Sequence, residues 1–258
     1  MCGSGPVDVP YPWPVPLTLS HPAAVLPLRK LGLPVTAMVV GSMTPDVPLF
    51  MGWQRGYLFS HSLLGVVTVD VAATLVAVWL WFAVVRDALV DLAPDAVRSR
   101  LVPHVVLTPR RWALAVPAAS MGALTHVFWD GFTHPGRWGV NHVAWLQLQH
   151  AGLAGYKWAQ YVSGVLGLVI VCLAAAAHLR GLPPIRRPAP RAGWVTGLLP
   201  AVAALGAASG VVTAIMNVPS GFHAMAFHGV VNAILAVLLS VAAVSLTWRR
   251  LLRQTSPQ

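Results

Sequence analysis

Residues 158–179 read WAQYVSGVLGLVIVCLAAAAHL, a run free of Asp, Glu, Lys and Arg, and its reading decides the fold. An α-helix rises about 1.5 Å per residue, so about 20 apolar residues cross the ~30 Å of a bilayer's hydrocarbon. Four more apolar runs stand at 62–85, which holds Asp70, and at 112–129, 194–216 and 223–248. None alternates polar and apolar residues as a membrane β-barrel strand does. The other way to satisfy every backbone group in lipid is a helix. Trp112, Trp129, Trp158, Trp194 and Trp248 mark run ends, where an indole lies well at the interface. The 258 residues are 57% hydrophobic and 9% charged, outside the range of soluble domains. The expected fold is all-α: a polytopic membrane helix bundle of about five transmembrane helices.

The N-terminal third fits that pattern less well. Residues 1–16, rich in Pro and Gly, read as a disordered lead-in, and 17–258 as one membrane-embedded helical domain. Between 21 and 53 the chain is apolar but interrupted by Pro22, Pro27, Pro34, Pro45 and Pro48. The stretch from Pro34 to Pro45 is short for a span, which suggests a re-entrant or interfacial helical segment. A crossing at 35–52 would put Arg29 and Lys30 inside and part His21 from Asp46. Re-entry lets His21 and Asp46 share the outer side.

Charge placement sets the topology. Arg86, Arg98, Arg100, Arg110 and Arg111 occupy one connection, Arg180, Arg186, Arg187 and Arg191 another, and Arg249, Arg250 and Arg253 the tail. These are alternate loops. The positive-inside rule places them and the C-terminus in the cytoplasm, which suits a multi-pass protein of a bacterial cytoplasmic membrane. The net charge of +10 is then a topology signal and gives no reason to invoke nucleic acid. Cys2 and Cys172 lie too far apart in kind and place for a disulfide framework or thiol metal motif.

With this topology His61, His126, Asp130, His134, His223 and His228 fall at the outer ends of their helices. His126 and Asp130, in THVFWDGFTH (125–134), are at i and i+4 and so present an imidazole and a carboxylate on one face. That pair suits a metal ion bound by His nitrogen and Asp oxygen with a position left for water. His61 in SHS is a third candidate ligand, with Asp46 in TPD and His21 in TLSHPA beside it. An ionised aspartate at membrane depth costs at least about 2.5–3.5 kcal/mol unless partnered, and a cation would supply the partner. The competing reading is a hydrogen-bonded interfacial His–Asp cluster. His134, before Pro135, is either a ligand or a helix-end cap. His142 and His150 read as solvated loop residues. His223, His228 and Asn232 either line the same cavity or bond between helices.

In this order the segments TLSHPAAVLPL, GSMTPDVP, SHSLLG, THVFWDGFTH and YKWAQYVSG resemble the bacterial family called domain of unknown function 4184, itself similar to inner-membrane metal-dependent hydrolases. The resemblance covers roughly residues 17–180; residues 194–258, the last two transmembrane helices, add little to it. More distantly the order His21, Asp46, His61, His126, Asp130 is similar to that of zinc-dependent phospholipase C and the single-strand-specific zinc nucleases. That similarity implies that His61, His126 and Asp130 hold one metal, that Asp46 bridges, that His21 helps hold a second, and that His134 serves a further ion. The His-xxx-Glu that completes such a trinuclear site is missing, because the chain has no glutamate. One or two ions are therefore expected, zinc first and manganese second.

The leading functional expectation is a membrane-embedded hydrolase that uses a metal-activated water on a phosphoester in a lipid or lipid-linked substrate, at the extracytoplasmic side. Asp46 and Asp130 are the candidates for orienting the water, and Lys157 for pairing with a phosphate oxygen. The alternative is a non-enzymatic protein, either a metal transporter or a structural membrane protein, that uses the same cluster.

Overall fold

The structure, a computed structural model, describes residues 18–102, 104–186 and 197–255. The lead-in expected over 1–16 lies outside the described residues, as do Arg187, Arg191 and Trp194. The fold is helical throughout, with one two-stranded hairpin among the described residues.

The proline-broken N-terminal third forms short pieces. These are a 3₁₀ turn at Thr18–Ser20, α1 (Pro22–Val25), a 3₁₀ stretch at Leu26–Leu31, α2 (Val35–Gly41), a turn at Thr44–Asp46, α3 (Val47–Phe50) and α4 (Gln54–Ser60). Each proline stands at or near the start of a piece, where its missing N–H costs no helical hydrogen bond. The apolar segment Val35–Phe50 is too short for a long apolar span, and it packs against other helices.

The chain then runs through α5 (Leu63–Val67), α6 (Val69–Leu80), a π-helical turn at Trp81–Val85, and α7 (Arg86–Leu92) as one long rod. The Ser62 hydroxyl caps its start by accepting the Gly65 N–H at 3.0 Å. α8 (Asp95–Arg98) leads to α9 (Pro109–Thr133), which starts on a Thr108 cap with Pro109 in its first turn. Next come α10 (Trp138–His142), α11 (Ala144–Gln147) and a hairpin of β1 (Gln149–His150) and β2 (Leu153–Ala154). The hairpin turns at Ala151 and Gly152, whose φ angles are 49° and 83°. α12 (Gly155–Gly181), α13 (Leu198–Met216) and α14 (Phe222–Thr255) complete the bundle.

Among the described residues, four helical stretches are long and apolar enough to cross a membrane: Leu63–Leu92, Gly155–Gly181, Leu198–Met216 and Ala224–Arg250. The fifth expected span, 112–129, lies within α9. Its 25 residues reach about 37 Å, but Arg110, Arg111, His126 and Asp130 dilute its apolar character. The same residues that make α9 interesting chemically weaken it as a hydropathy signal.

α9 is the central helix, and glycines set how closely its neighbours approach. A Cβ on Gly41 would lie 2.5 Å from the Ala119 carbonyl oxygen, and one on Gly122 would overlap the Met38 carbonyl oxygen. The backbones of α2 and α9 thus touch, with Val25, Ala37, Met38, Val78, Ala115 and Ala118 as the core around them. α13 and α14 pack in the same way, through Gly206, Gly210 and Ala214 on one side and Gly229 and Ala233 on the other.

Candidate metal centre

The contact between α2 and α9 determines the position of His126. Gly122 lets Ser42 come close to α9, and one turn later His126 Nδ1 lies 2.8 Å from the Ser42 carbonyl oxygen. A carbonyl can only accept, so Nδ1 carries the proton and Nε2 presents its lone pair inward. His61, at the end of α4, is fixed in the same way: its Nδ1 lies 2.9 Å from the Tyr57 carbonyl oxygen. Backbone carbonyls therefore set both tautomers, as they commonly do for metal-ligating histidines.

Two carboxylates face the two Nε2 atoms. Asp130 Oδ2 is 3.3 Å from His61 Nε2 and 3.3 Å from His126 Nε2, while Asp46 Oδ1 is 3.4 Å from His126 Nε2 and 3.9 Å from His61 Nε2. All four ligand atoms lie within 4.8 Å of one another, and all four residues are buried. A tetrahedral ion with bonds of about 2.0–2.2 Å needs ligand-to-ligand edges of about 3.3–3.6 Å. Three of the measured edges meet that range and the fourth is slightly longer. The group Asp46, His61, His126 and Asp130 can hold a metal ion.

The Thr18 hydroxyl donates to Asp46 Oδ2, which leaves Oδ1 for the centre. Asp130 divides its oxygens: Oδ2 faces His61 and His126, while Oδ1 is 3.6 Å from His21 Nε2 and 3.4 Å from His134 Nδ1. Asp130 is thus a carboxylate that touches both histidine pairs. The His21 ring stacks on His126 at 3.9 Å between centroids. His134 ends α9, with its N–H bonded to the Asp130 carbonyl, its Nδ1 3.0 Å from the Thr133 hydroxyl and its Nε2 3.2 Å from Gln160 Nε2. It both caps the helix and touches Asp130.

Burial favours the neutral form, the one a metal requires, for two of these imidazoles. It lowers the pKa of His21 to about 4, aided by the neighbouring His126, and lowers that of His61.

The other expected residues lie elsewhere. Lys157 is half-buried in the first turn of α12, three residues before Gln160. His142 bonds the Trp138 carbonyl, and His150 bonds that of Trp145 while stacking on its ring, so both are loop fasteners. The Asn232 amide donates to the His228 carbonyl within α14, which leaves the two bonded along their own helix. Asp70 is buried in α6, and its Oδ2 has no hydrogen-bond partner among the described residues. Sequence reasoning missed Thr18 and Gln160. The signals for them were a hydroxyl three residues before His21 and a lone amide on an otherwise apolar helix face.

The sequence profile of one family matches residues 15–246. The chain belongs to the family described as Domain of unknown function (DUF4184). The match extends through α13 and most of α14, well past the 17–180 region that carries the recognisable motifs. No curated protein and no solved structure matches the chain. A DUF4184 chain therefore gains its functional reading from its own centre.

Proposed function

We propose that this DUF4184 protein is a metal-dependent hydrolase of phosphoesters, with Asp46, His61, His126 and Asp130 holding a zinc ion. The observation that carries the reading is the pair of imidazoles with Nδ1 bonded to the backbone and Nε2 turned toward two carboxylate oxygens at 3.3–3.9 Å. Two nitrogens and two oxygens in a buried site are a donor set that zinc accepts, with manganese as the second choice. Among the described residues His126 Nε2 and Asp130 Oδ1 are buried atoms without a hydrogen-bond partner, which a bound cation and its water would satisfy.

When bound, such an ion lowers the pKa of its water toward about 7 and polarises a phosphoryl oxygen. The chain's own groups do the rest. Asp46 and Asp130 flank the two imidazoles, and in this reading they orient a water and take its proton. The water oxygen forms a P–O bond as the ester P–O bond breaks, and the departing oxygen takes up a proton. His21 and His134, beside Asp130 Oδ1, are the groups that return it.

Charge supports an extracytoplasmic site. His61 at the start of one rod meets Asp130 near the end of α9, so the centre lies at the opposite end of these helices from Arg86, Arg98, Arg110 and Arg111. By the positive-inside rule that is the extracytoplasmic side of a bacterial cytoplasmic membrane.

The test is the metal content of full-length protein purified in mild detergent without chelator, measured by elemental mass spectrometry. One or two equivalents of zinc are expected in the wild type, lost in His126→Ala and Asp130→Ala while the helical circular dichroism persists. A wild type that stays metal-free after zinc reconstitution sinks the reading.

A further inference from the structure

Beside the centre, α1, α9 and α12 enclose a hollow of about 300 Å³, at the small end of ligand pockets. It has a direction. On α12 its wall runs from Ser163 through Leu166 to Ile170, about 10 Å along the helix at 1.5 Å per residue. The Ser163 end is level with the centre: its hydroxyl accepts the Trp129 indole N–H at 3.1 Å, Trp129 adjoins Asp130, and Gln160 one turn earlier contacts His134. The Ile170 end lies deeper, toward the arginine-rich side of the bundle.

One side chain joins the hollow to the centre. His21 lines it and also stacks on His126, with its Nε2 3.6 Å from Asp130 Oδ1. Further along, Ser20 packs on Gly167, and the rest of the wall is apolar, with Ala23 and Ala24 on α1 and Leu166 and Ile170 on α12. Leu166 and Ile170 are 56% and 49% exposed on a helix long and apolar enough to span a membrane. Their open side therefore meets hydrocarbon rather than water.

A groove that is polar at the level of a hydrolytic centre, apolar below it and open sideways to the bilayer matches one molecule in its surroundings: a lipid with a phosphoester head and a hydrocarbon tail. We propose that this groove seats one acyl chain of a membrane lipid and so brings the lipid's phosphoester to Asp130 and His21 from within the leaflet. The assignment rests on the hydrolase reading above, and it makes the substrate a lipid that arrives laterally rather than a soluble phosphoester.

The test uses full-length protein in nanodiscs of phosphatidylethanolamine and phosphatidylglycerol, doped with phosphatidylglycerol carrying a diazirine near the end of one acyl chain. After irradiation, adducts are mapped by peptide mass spectrometry, with Leu239, 71% exposed on α14, as the reference for general lipid contact. Adducts are expected to be enriched at Ala24, Leu166 and Ile170 over Leu239. Ala24→Trp, which fills the groove, should cut them several-fold while leaving Leu239 labelling and metal content unchanged. Ile170→Trp, on the exposed wall, is the second variant should Ala24→Trp fail to fold, and the same loss is expected at Ala24 and Leu166. Labelling at or below the Leu239 level, or equal in wild type and variants, overturns the groove assignment and leaves the hydrolase reading standing. Enrichment in a wild type that binds no metal overturns the hydrolase reading and the substrate role with it.

Discussion

Asp130 and Asp46 are distinguished by what holds their second oxygens. Asp130 Oδ1 faces His21 and His134, whereas Asp46 Oδ2 is held by a single hydroxyl from the Thr18–Ser20 turn. Removing that hydroxyl without changing side-chain volume therefore probes Asp46 alone. Thr18→Val is expected to weaken zinc affinity about 10–100-fold, as the loss of an outer partner of a metal ligand typically does, in competition with a chromophoric chelator. Unchanged affinity would mean that Asp46 is not a ligand. At this scale much of the centre was legible in the sequence. The i and i+4 pair of His126 and Asp130 needs only helical geometry, and Asp46 and His61 stand out as polar side chains in apolar surroundings. Which atom of each residue faces the centre was not legible, because backbone carbonyls at Tyr57 and Ser42 decide it, and the latter is 84 positions from His126.

The element that makes this possible is the contact of α2 with α9. Without a side chain at Gly122, the end of α2 lies against α9, and the Ser42 carbonyl reaches His126 one turn on. Gly122→Ala would push the Met38–Ser42 backbone away. It is expected to cost about 1–3 kcal/mol of stability, the usual penalty for overpacking, and to lower zinc affinity in the same protein. Gly131→Ala is the control in the same helix. A Cβ there meets nothing nearer than the Gly139 nitrogen at 4.0 Å, so its thermal unfolding midpoint should hold or rise with the better helix propensity of Ala. If both variants unfold at the wild-type temperature, close backbone packing does not set this site. The glycines were plain in the sequence but their partners were not, since hydropathy reads each helix separately and a helix contact is a property of two. The short N-terminal pieces illustrate the same limit. Their prolines announced breaks, yet whether His21 and Asp46 would meet depended on how α1, α2 and the Thr44–Asp46 turn fold against α9.

At the scale of the whole molecule, the helix runs and the arginines carry complementary information. Apolar length identifies four stretches able to cross a membrane and leaves α9 below the same standard, because its ends carry Arg110 and Arg111 at one side and the centre's His126 and Asp130 at the other. Contacts supply what hydropathy cannot. The Trp248 indole near the end of α14 donates to Asp91 at the end of α7, and Arg98 pairs with the same aspartate. The tail of α14 therefore lies at the arginine-rich end, opposite the metal centre, and the two ends should fall on opposite sides of the bilayer. A fluorescent protein fused after Gln258 and expressed in a bacterial host should be bright. Alkaline phosphatase at the same place should be inactive but become active when inserted between Gly136 and Arg137, in the connection after α9. Active phosphatase at the C-terminus would reverse the orientation and place the centre at the cytoplasmic face, where a lipid substrate would have to come from the inner leaflet. Phosphatase active at neither position would mean that α9 does not cross and that the loop after it stays on the side of the arginines.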